Sequence, residues 1–425
     1  METLEQCERL QTSPGVEITS PEPGRYVAIQ ERTARQYSVG QKIVDLLQAL
    51  RFPQTLQEIR DGVLATCSEQ EVDQVVNFLR RHQLIHIESA EPIYQVRKQT
   101  YSLFGIDGVE LEAIQPNWRV SVGVPYGHGN GTDHRCWLFP SNLRTYLKSR
   151  DVKLTSRQQR SVSFQFIDRN IDFSSLQRSV EDKTIRDWGD LFIGSHEYPT
   201  VVYQKIHEVA SDLFRRRAIP FFLGGDHSIS LPIIRAASQF HEQLQIIQLD
   251  AHTDTYDGTV QRQWTHHHGN FMAEVLKLDN VSRVVQLGIR GLSNINAKTY
   301  NSPKQVIYWA EEVREMLHTG ERFDIDPLLP TYVTFDIDCF DPTLAPATAT
   351  PVFNGFTYHD VNRLLSTILP GLPIVGMDLV EVNPKLDQDT RTMELATHVI
   401  LLLLNYAQNE HDTHRSRVSE SAAVA

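Results

Sequence analysis

Three short apolar runs constrain this chain most, because each one stops at a cluster of metal-ligand side chains. FFL runs into GGDHS at 224–228, IIQL into DAHTD at 250–254, and YVTF into DID at 336–338. Runs of this length, rich in β-branched and aromatic residues, predict buried strands. They place His227, Asp250, His252, Asp254, Asp336 and Asp338 at strand ends. Two imidazoles and four carboxylates suit a pair of divalent ions, with carboxylates left over to bridge them. Taken singly, each motif has a structural use as a tight turn, a solvated loop or a helix cap. Together at one sheet edge they argue otherwise, since four buried carboxylates without a cation would repel one another and be driven toward their neutral forms. A bridged metal pair activates water near neutral pH, which points to hydrolysis.

Strand-like runs at 119–125, 219–223, 245–249, 283–288, 331–335 and 373–380 alternate with helical patterns, one of them starting at Pro199. That alternation predicts an α/β unit over 118–412 with a parallel sheet covered on both faces. Ligands gather beyond the carboxyl ends of such strands, which is where the three motifs fall. The longest apolar run, at 399–407, is too short to span a bilayer and reads as a buried helix. A net charge of −12 argues against a phosphate-backbone partner. Four scattered cysteines and a polar, acidic start suggest a reducing compartment, the cytoplasm, with no secretory signal. The polar tail 413–425 is expected to be disordered.

The first 92 residues have a different pattern, and 93–117 reads as a linker. RYVAIQ at 25–30 is a strand candidate. Ile43, Leu46, Leu47 and Leu50 follow helical spacing, with Ser38 as the expected N-cap. Thr55-x-x-Glu58 and Ser68-x-x-Glu71 are capping boxes. The first opens a helix with Leu56, Ile59 and Val63 inward; the second opens one with Val72, Val75, Val76 and Leu79. LIHI at 84–87 returns to strand character. The whole is a winged-helix-like α+β pattern, but its third helix begins with Glu69, Glu71 and Asp73, a poor fit to a DNA-recognition helix. The segment 15–90 resembles the small precursor-peptide recognition domains of enzymes that modify ribosomally made peptides. The resemblance implies a leader peptide added as a strand and lying against the third helix. Val27 and Ile29 on an exposed edge strand, with Val72 and Val76 in the groove, are the expected contacts.

Over residues 118–410, GGDHS, DAHTD, FDIDCFDP and GMDLVEVNP together resemble the four signature segments of the ureohydrolases, the arginase and agmatinase family. The resemblance implies a three-layer α/β/α arginase-like fold with two Mn2+ per subunit. It assigns one ion to His227, Asp250, Asp254 and Asp336, and the other to His252, Asp250, Asp336 and Asp338. Asp250 and Asp336 would bridge the pair, and Asp254 would also orient a bridging hydroxide. Glu381 in EVNP matches the carboxylate that clamps a guanidinium. His268 matches the proton shuttle to the leaving amine, and within His266-His267-His268 the second candidate is His267. His267 and Thr350 are further candidates for substrate contact.

The segment DAHTDTYDGTVQRQWTHHHGN lacks the Asn and Ser residues by which free-arginine enzymes hold the α-carboxylate and α-amine, and GIRGL at 288–292 is closer to the agmatinases. With a peptide-binding domain in front, the expectation is a peptide arginase: arginine side chains of a precursor peptide become ornithine, releasing urea. The alternative is a small-molecule guanidino hydrolase with an accessory N-terminal domain. The Gly-rich loop 126–134 and the segment 255–267 are the expected mouth. Relatives in the family suggest a homo-oligomer; neither nucleic acid nor membrane is expected as a partner.

Overall fold

The computed structural model describes residues 9–13, 16–22, 24–30, 35–50, 54–87, 93–131, 133–154, 171–195, 197–256, 267–291 and 299–407. The chain divides into two compact units, residues 1–93 with 197–204, and residues 94–196 with 205–425.

In the N-terminal unit, β1 (Arg9–Thr12) pairs with β5 (Gln54–Thr55) and β6 (Ile85–Ile87). An antiparallel sheet in the order β2-β3-β4 is formed by β2 (Val16–Glu22), β3 (Arg25–Gln30) and β4 (Arg35–Val39). Three helices follow: α1 (Gln41–Ala49), α2 (Leu56–Asp61) and α3 (Glu69–Arg81). Both capping boxes form, each hydroxyl accepting from the N3 backbone while the N3 glutamate accepts from the cap. Leu46, Leu47, Ile59, Val72, Val76 and Leu79 meet in one core.

Four expectations fail in this unit. Ser38 is not a helix cap; it belongs to β4, and α1 starts after Gly40 with no side-chain cap. Val63 is exposed because α2 ends at Asp61. The strand carrying Val27 and Ile29 is no edge: β3 is paired on both sides, so its ladder groups are already used. Val72 and Val76 are each 1% exposed and fill the core, so they line no groove.

The second unit holds a nine-stranded sheet in the order β13-β12-β11-β14-β15-β10-β8-β9-β7. Its strands are β7 (Val96–Arg97), β8 (Arg119–Gly123), β9 (Ile185–Leu191), β10 (Ile219–Leu223), β11 (Leu244–Leu249), β12 (Val281–Ile289), β13 (Gln305–Trp309), β14 (Thr331–Asp336) and β15 (Ile374–Val380). All pair in parallel except β7, which is antiparallel to β9. Of the expected linker 93–117, residues 94–117 are part of this unit: β7 extends the sheet, and Leu103, Phe104 and Ile106 join its core. The tail expected to be disordered lies outside the described residues.

Alternation along the strands splits the core. Phe221, Leu223, Ile247, Leu249, Val333 and Phe335 face a cluster shared with α4 (Phe139–Ser149), α5 (Phe173–Glu181), α9 (Ala310–Thr319), α10 (Tyr358–Ile368) and α11 (Arg391–Tyr406). Tyr332, Thr334 and Asp378 point the other way, where Ser230 at the start of α7 (Ser230–Phe240) bonds to Asp378. The apolar run at 399–407 is the buried end of α11, and among the described residues no helix is long and apolar enough to cross a membrane.

The strand order places the site. β11, β14, β15 and β10 are consecutive neighbours, so the segments that follow them emerge side by side at one sheet edge. Asp250, Glu381 and His227 lie just beyond β11, β15 and β10, and Asp336 is the last residue of β14. A crossover topology thus joins residues more than 150 positions apart.

Candidate metal centre

Gly224 and Gly225 let the chain leave β10 beside the loop that follows β8. Both take positive φ, 120° and 57°, and a Cβ on Gly225 would sit 2.1 Å from the Tyr126 carbonyl oxygen. Asp226 then caps the short turn 227–229 through the Ser228 amide and accepts the Gly129 amide at 2.7 Å. The Gly-rich loop, expected as part of the mouth, is tied to the ligand loop in this way. The turn aims the His227 ring inward, where its Nδ1 lies 3.1 Å from Asp250 Oδ2 and 3.2 Å from both Asp254 Oδ2 and Asp336 Oδ2.

None of those three contacts has hydrogen-bond geometry, although Nδ1 is fully buried. His227, Asp250 and Asp254 each bring a ligand-type atom within 4.8 Å of the others, close enough to share a cation. The other ring nitrogen, Nε2, is 2.8 Å from Thr334 Oγ1, whose hydroxyl donates to Asp378 Oδ1 at 2.7 Å. Asp378 also accepts from Ser230 and Tyr332, both at 2.8 Å. Thr334 is then an acceptor for Nε2–H, which leaves the Nδ1 lone pair free for a metal.

A second group adjoins the first. His252 Nδ1 is 2.9 Å from Asp338 Oδ2 and 3.5 Å from Asp250 Oδ1, and Asp338 Oδ2 is again a buried atom with no hydrogen-bond partner. His227, Asp250 and Asp254 form one potential metal-holding set; Asp250, His252 and Asp338 form the other. Asp250 turns Oδ2 to the first and Oδ1 to the second, the disposition of a bridging carboxylate. Asp336 turns Oδ2 to the first set, and its Oδ1 accepts the Asp338 amide at 2.8 Å.

The electrostatics agree with a dinuclear centre. Burial, and then the Asp250 charge, pushes Asp254 up to about 6. Burial followed by its neighbours Asp338 and Asp250 raises Asp336 well above the carboxylate range, and burial with Asp250 raises Asp338. Against burial, the surrounding aspartates raise His227 and hold His252 up to about 12. Burial opposes ionisation of Asp250 too, but His227 and His252 outweigh it and hold this carboxyl low. Two divalent cations would supply the positive charge that these side chains otherwise demand of protons.

Beside the ligands, Glu381 is buried, with Oε1 accepting the His227 amide at 3.0 Å and Oε2 accepting from Asn130 Nδ2 at 3.1 Å. His268 Nδ1 lies 3.4 Å from Glu381 Oε1. Burial favours a neutral His268, but Glu381, Asp254 and Asp226 outweigh it and push the imidazole up to about 9. His267 differs: its Nδ1 accepts the Gly269 amide at 3.2 Å within the turn, and burial, then the His268 charge, lowers it. Of the two described histidines of the triple, His268 is the one beside Glu381; His266 and residues 257–265 of the expected mouth lie outside the described residues. Thr350 sits half-buried in the loop after the Asp338 turn, and no described hydrogen bond joins it to the cluster. Glu381 and Asp254 both take left-handed backbone, φ 62° and 50°.

Sequence reasoning missed Asn130, Asp226, Thr334 and Asp378. Asp226 sat inside a recognised motif without a role, and Asn130 inside a loop singled out only by its glycines.

The Arginase family model matches residues 142–405. The chain belongs to the arginase family. It is 37% identical to an agmatinase of Neisseria meningitidis over 233 residues, 54% of this chain and 72% of that protein. A hypothetical agmatinase from Burkholderia thailandensis has a similar structure, with TM-score 0.59 and 25% identity, covering 78% of this chain and 98% of that one. Proclavaminate amidino hydrolase from Streptomyces clavuligerus gives TM-score 0.58 at 25% identity, covering 73% and 97%. The chain is therefore an arginase-family hydrolase acting on guanidino C–N bonds.

Proposed function

We propose that the guanidino group cleaved here is an arginine side chain within a peptide, giving ornithine and urea, with manganese as the metal. Glu381 binds the guanidinium: its carboxylate, oriented by Asn130 at Oε2 and by the His227 amide and His268 at Oε1, suits a planar, bidentate partner. Asn130 and the His227 amide keep that carboxylate oriented, and His268 and the backbone keep it ionised against burial. His268 holds a proton at Nδ1 against Glu381, and as an imidazolium it is the acid for the departing amine. A metal pair held by the two sets supplies, when bound, an acidified water and Lewis acidity at the central carbon.

The observation that carries the peptide reading is the separate N-terminal unit. The Burkholderia protein is matched over almost its whole length yet covers only 78% of this chain. In that unit β4, and not β3, has an unpaired side among the described residues. Tyr37 on β4 lies tilted against His82 at 4.7 Å and meets Phe78 edge-on at 6.1 Å, and Phe78 is 36% exposed on α3. A free strand edge beside an exposed aromatic suits an extended peptide, which would pair through its backbone and seat a side chain on Phe78.

A second reading takes a small guanidino compound such as agmatine. Overall resemblance supports it better, because the relatives are named agmatinase. Mass spectrometry of an arginine-containing peptide treated with manganese-loaded protein separates the two. The peptide reading expects a loss of about 42 Da per arginine, the hydrolytic removal of urea. Rapid turnover of agmatine with the peptide unchanged would establish the second.

A further inference from the structure

Three glutamines cross the sheet from its edge to the ligand loop. Gln248 on β11 and Gln286 on β12 are fully buried, and Gln305 on edge strand β13 is half-buried. Gln305 Nε2 donates to Gln286 Oε1 at 2.6 Å, Gln286 Nε2 to Gln248 Oε1 at 2.5 Å, and Gln248 Nε2 to Asp250 Oδ2 at 2.7 Å. Gln286 Nε2 also reaches the Thr253 carbonyl at 2.8 Å, and Gln248 Nε2 lies 3.4 Å from the His252 carbonyl.

The direction of this chain follows from chemistry. An ionised carboxylate and a backbone carbonyl only accept, so Gln248 must turn its NH2 to Asp250 and Gln286 its NH2 to Thr253. Each amide oxygen then faces outward, where the next glutamine must donate. The three dipoles therefore point the same way, with donors toward Asp250, and aligned amides in a dry interior polarise one another. Amides buried in otherwise apolar strands are expected to be fully bonded, and this row meets that demand by gripping the DAHTD loop at Asp250, His252 and Thr253.

We propose that Gln248, backed by Gln286 and Gln305, is the positioning group for the bridging carboxylate. It holds Oδ2 toward the first metal set, while Oδ1, which accepts the His252 amide at 2.6 Å, turns to the second. The inference rests on the metal-centre reading and is independent of which guanidino substrate is cleaved.

The test is calorimetric titration of the metal-free full-length chain with Mn2+, alongside its melting temperature without metal. Gln248→Met keeps the side-chain shape and removes the donor. It is expected to weaken manganese binding by roughly ten- to a hundredfold, the usual effect of losing a ligand's outer partner. Gln286→Met leaves both Gln248 and Asp250 in place and should weaken binding severalfold, so it serves as the test if the first variant does not fold. Unchanged manganese affinity in a folded variant, even with a lower melting temperature, would mean that the row is only structural and overturn the proposal. A wild-type chain that fails to take up two Mn2+ would instead overturn the metal-centre reading beneath it.

Discussion

The two units treat polarity in opposite ways. The catalytic unit buries its charge: Asp250, Asp336, Asp338, His227 and Glu381 are all 3% exposed or less. The N-terminal unit keeps charge outside and leaves Phe78 and Val63 partly in solvent. Buried charge at a strand edge is costly unless a cation or a proton compensates it, so it marks chemistry. Aromatic surface beside a free strand edge costs little in the isolated chain and marks recognition. The catalytic unit supplies the reaction, and on the proposed reading the N-terminal unit selects the peptide.

Substitutions can separate these roles. Asp250→Asn, which touches both ligand sets, should cut urea release at least about 10³-fold and lower metal content measured by mass spectrometry. The N-terminal unit should stay folded, and its loss would contradict the separation. His268→Gln should slow turnover by about 10²–10⁴-fold. His268 is raised to about 9, so its acid form is present below that pH and lost as pH rises through it. Wild-type kcat should therefore fall above pH 9, and that limb should vanish in His268→Gln. Phe78→Asp should raise KM for a leader-bearing peptide about tenfold, as removal of an aromatic anchor does, while leaving agmatine turnover at the wild-type level. Ser68→Ala removes one capping box and should destabilise the N-terminal unit by about 1 kcal/mol, read as a shift in its own unfolding transition.

The two units also differ in how far the sequence reveals them. In the catalytic unit, ligands cluster within two to five residues at the ends of strongly apolar strands, so local reading names the side chains that the sheet order later unites. What it cannot name are partners set by pairing between distant strands. Asn130 meets Glu381, Thr334 meets Asp378, and Gln248 meets Gln286, none of them near in sequence. In the N-terminal unit the capping boxes mark α2 and α3, because that signal is local. The short, polar strands β1, β2 and β4 are held by their neighbours and not by their own pattern. Whether β3 is edge or centre depends on them, which is why local pattern places Val27 and Ile29 on an edge they do not occupy.

The division of labour is tested most directly by one ratio, kcat/KM for a leader-bearing arginine peptide over kcat/KM for agmatine. It would be measured for the manganese-loaded full chain and for the chain lacking residues 1–92. The account predicts a ratio well above one for the full chain and a fall of at least about tenfold on truncation, with hydrolysis of a short arginine peptide retained, since tethering acts through effective concentration. Preference for agmatine in both proteins, with a ratio that truncation does not move, would contradict it.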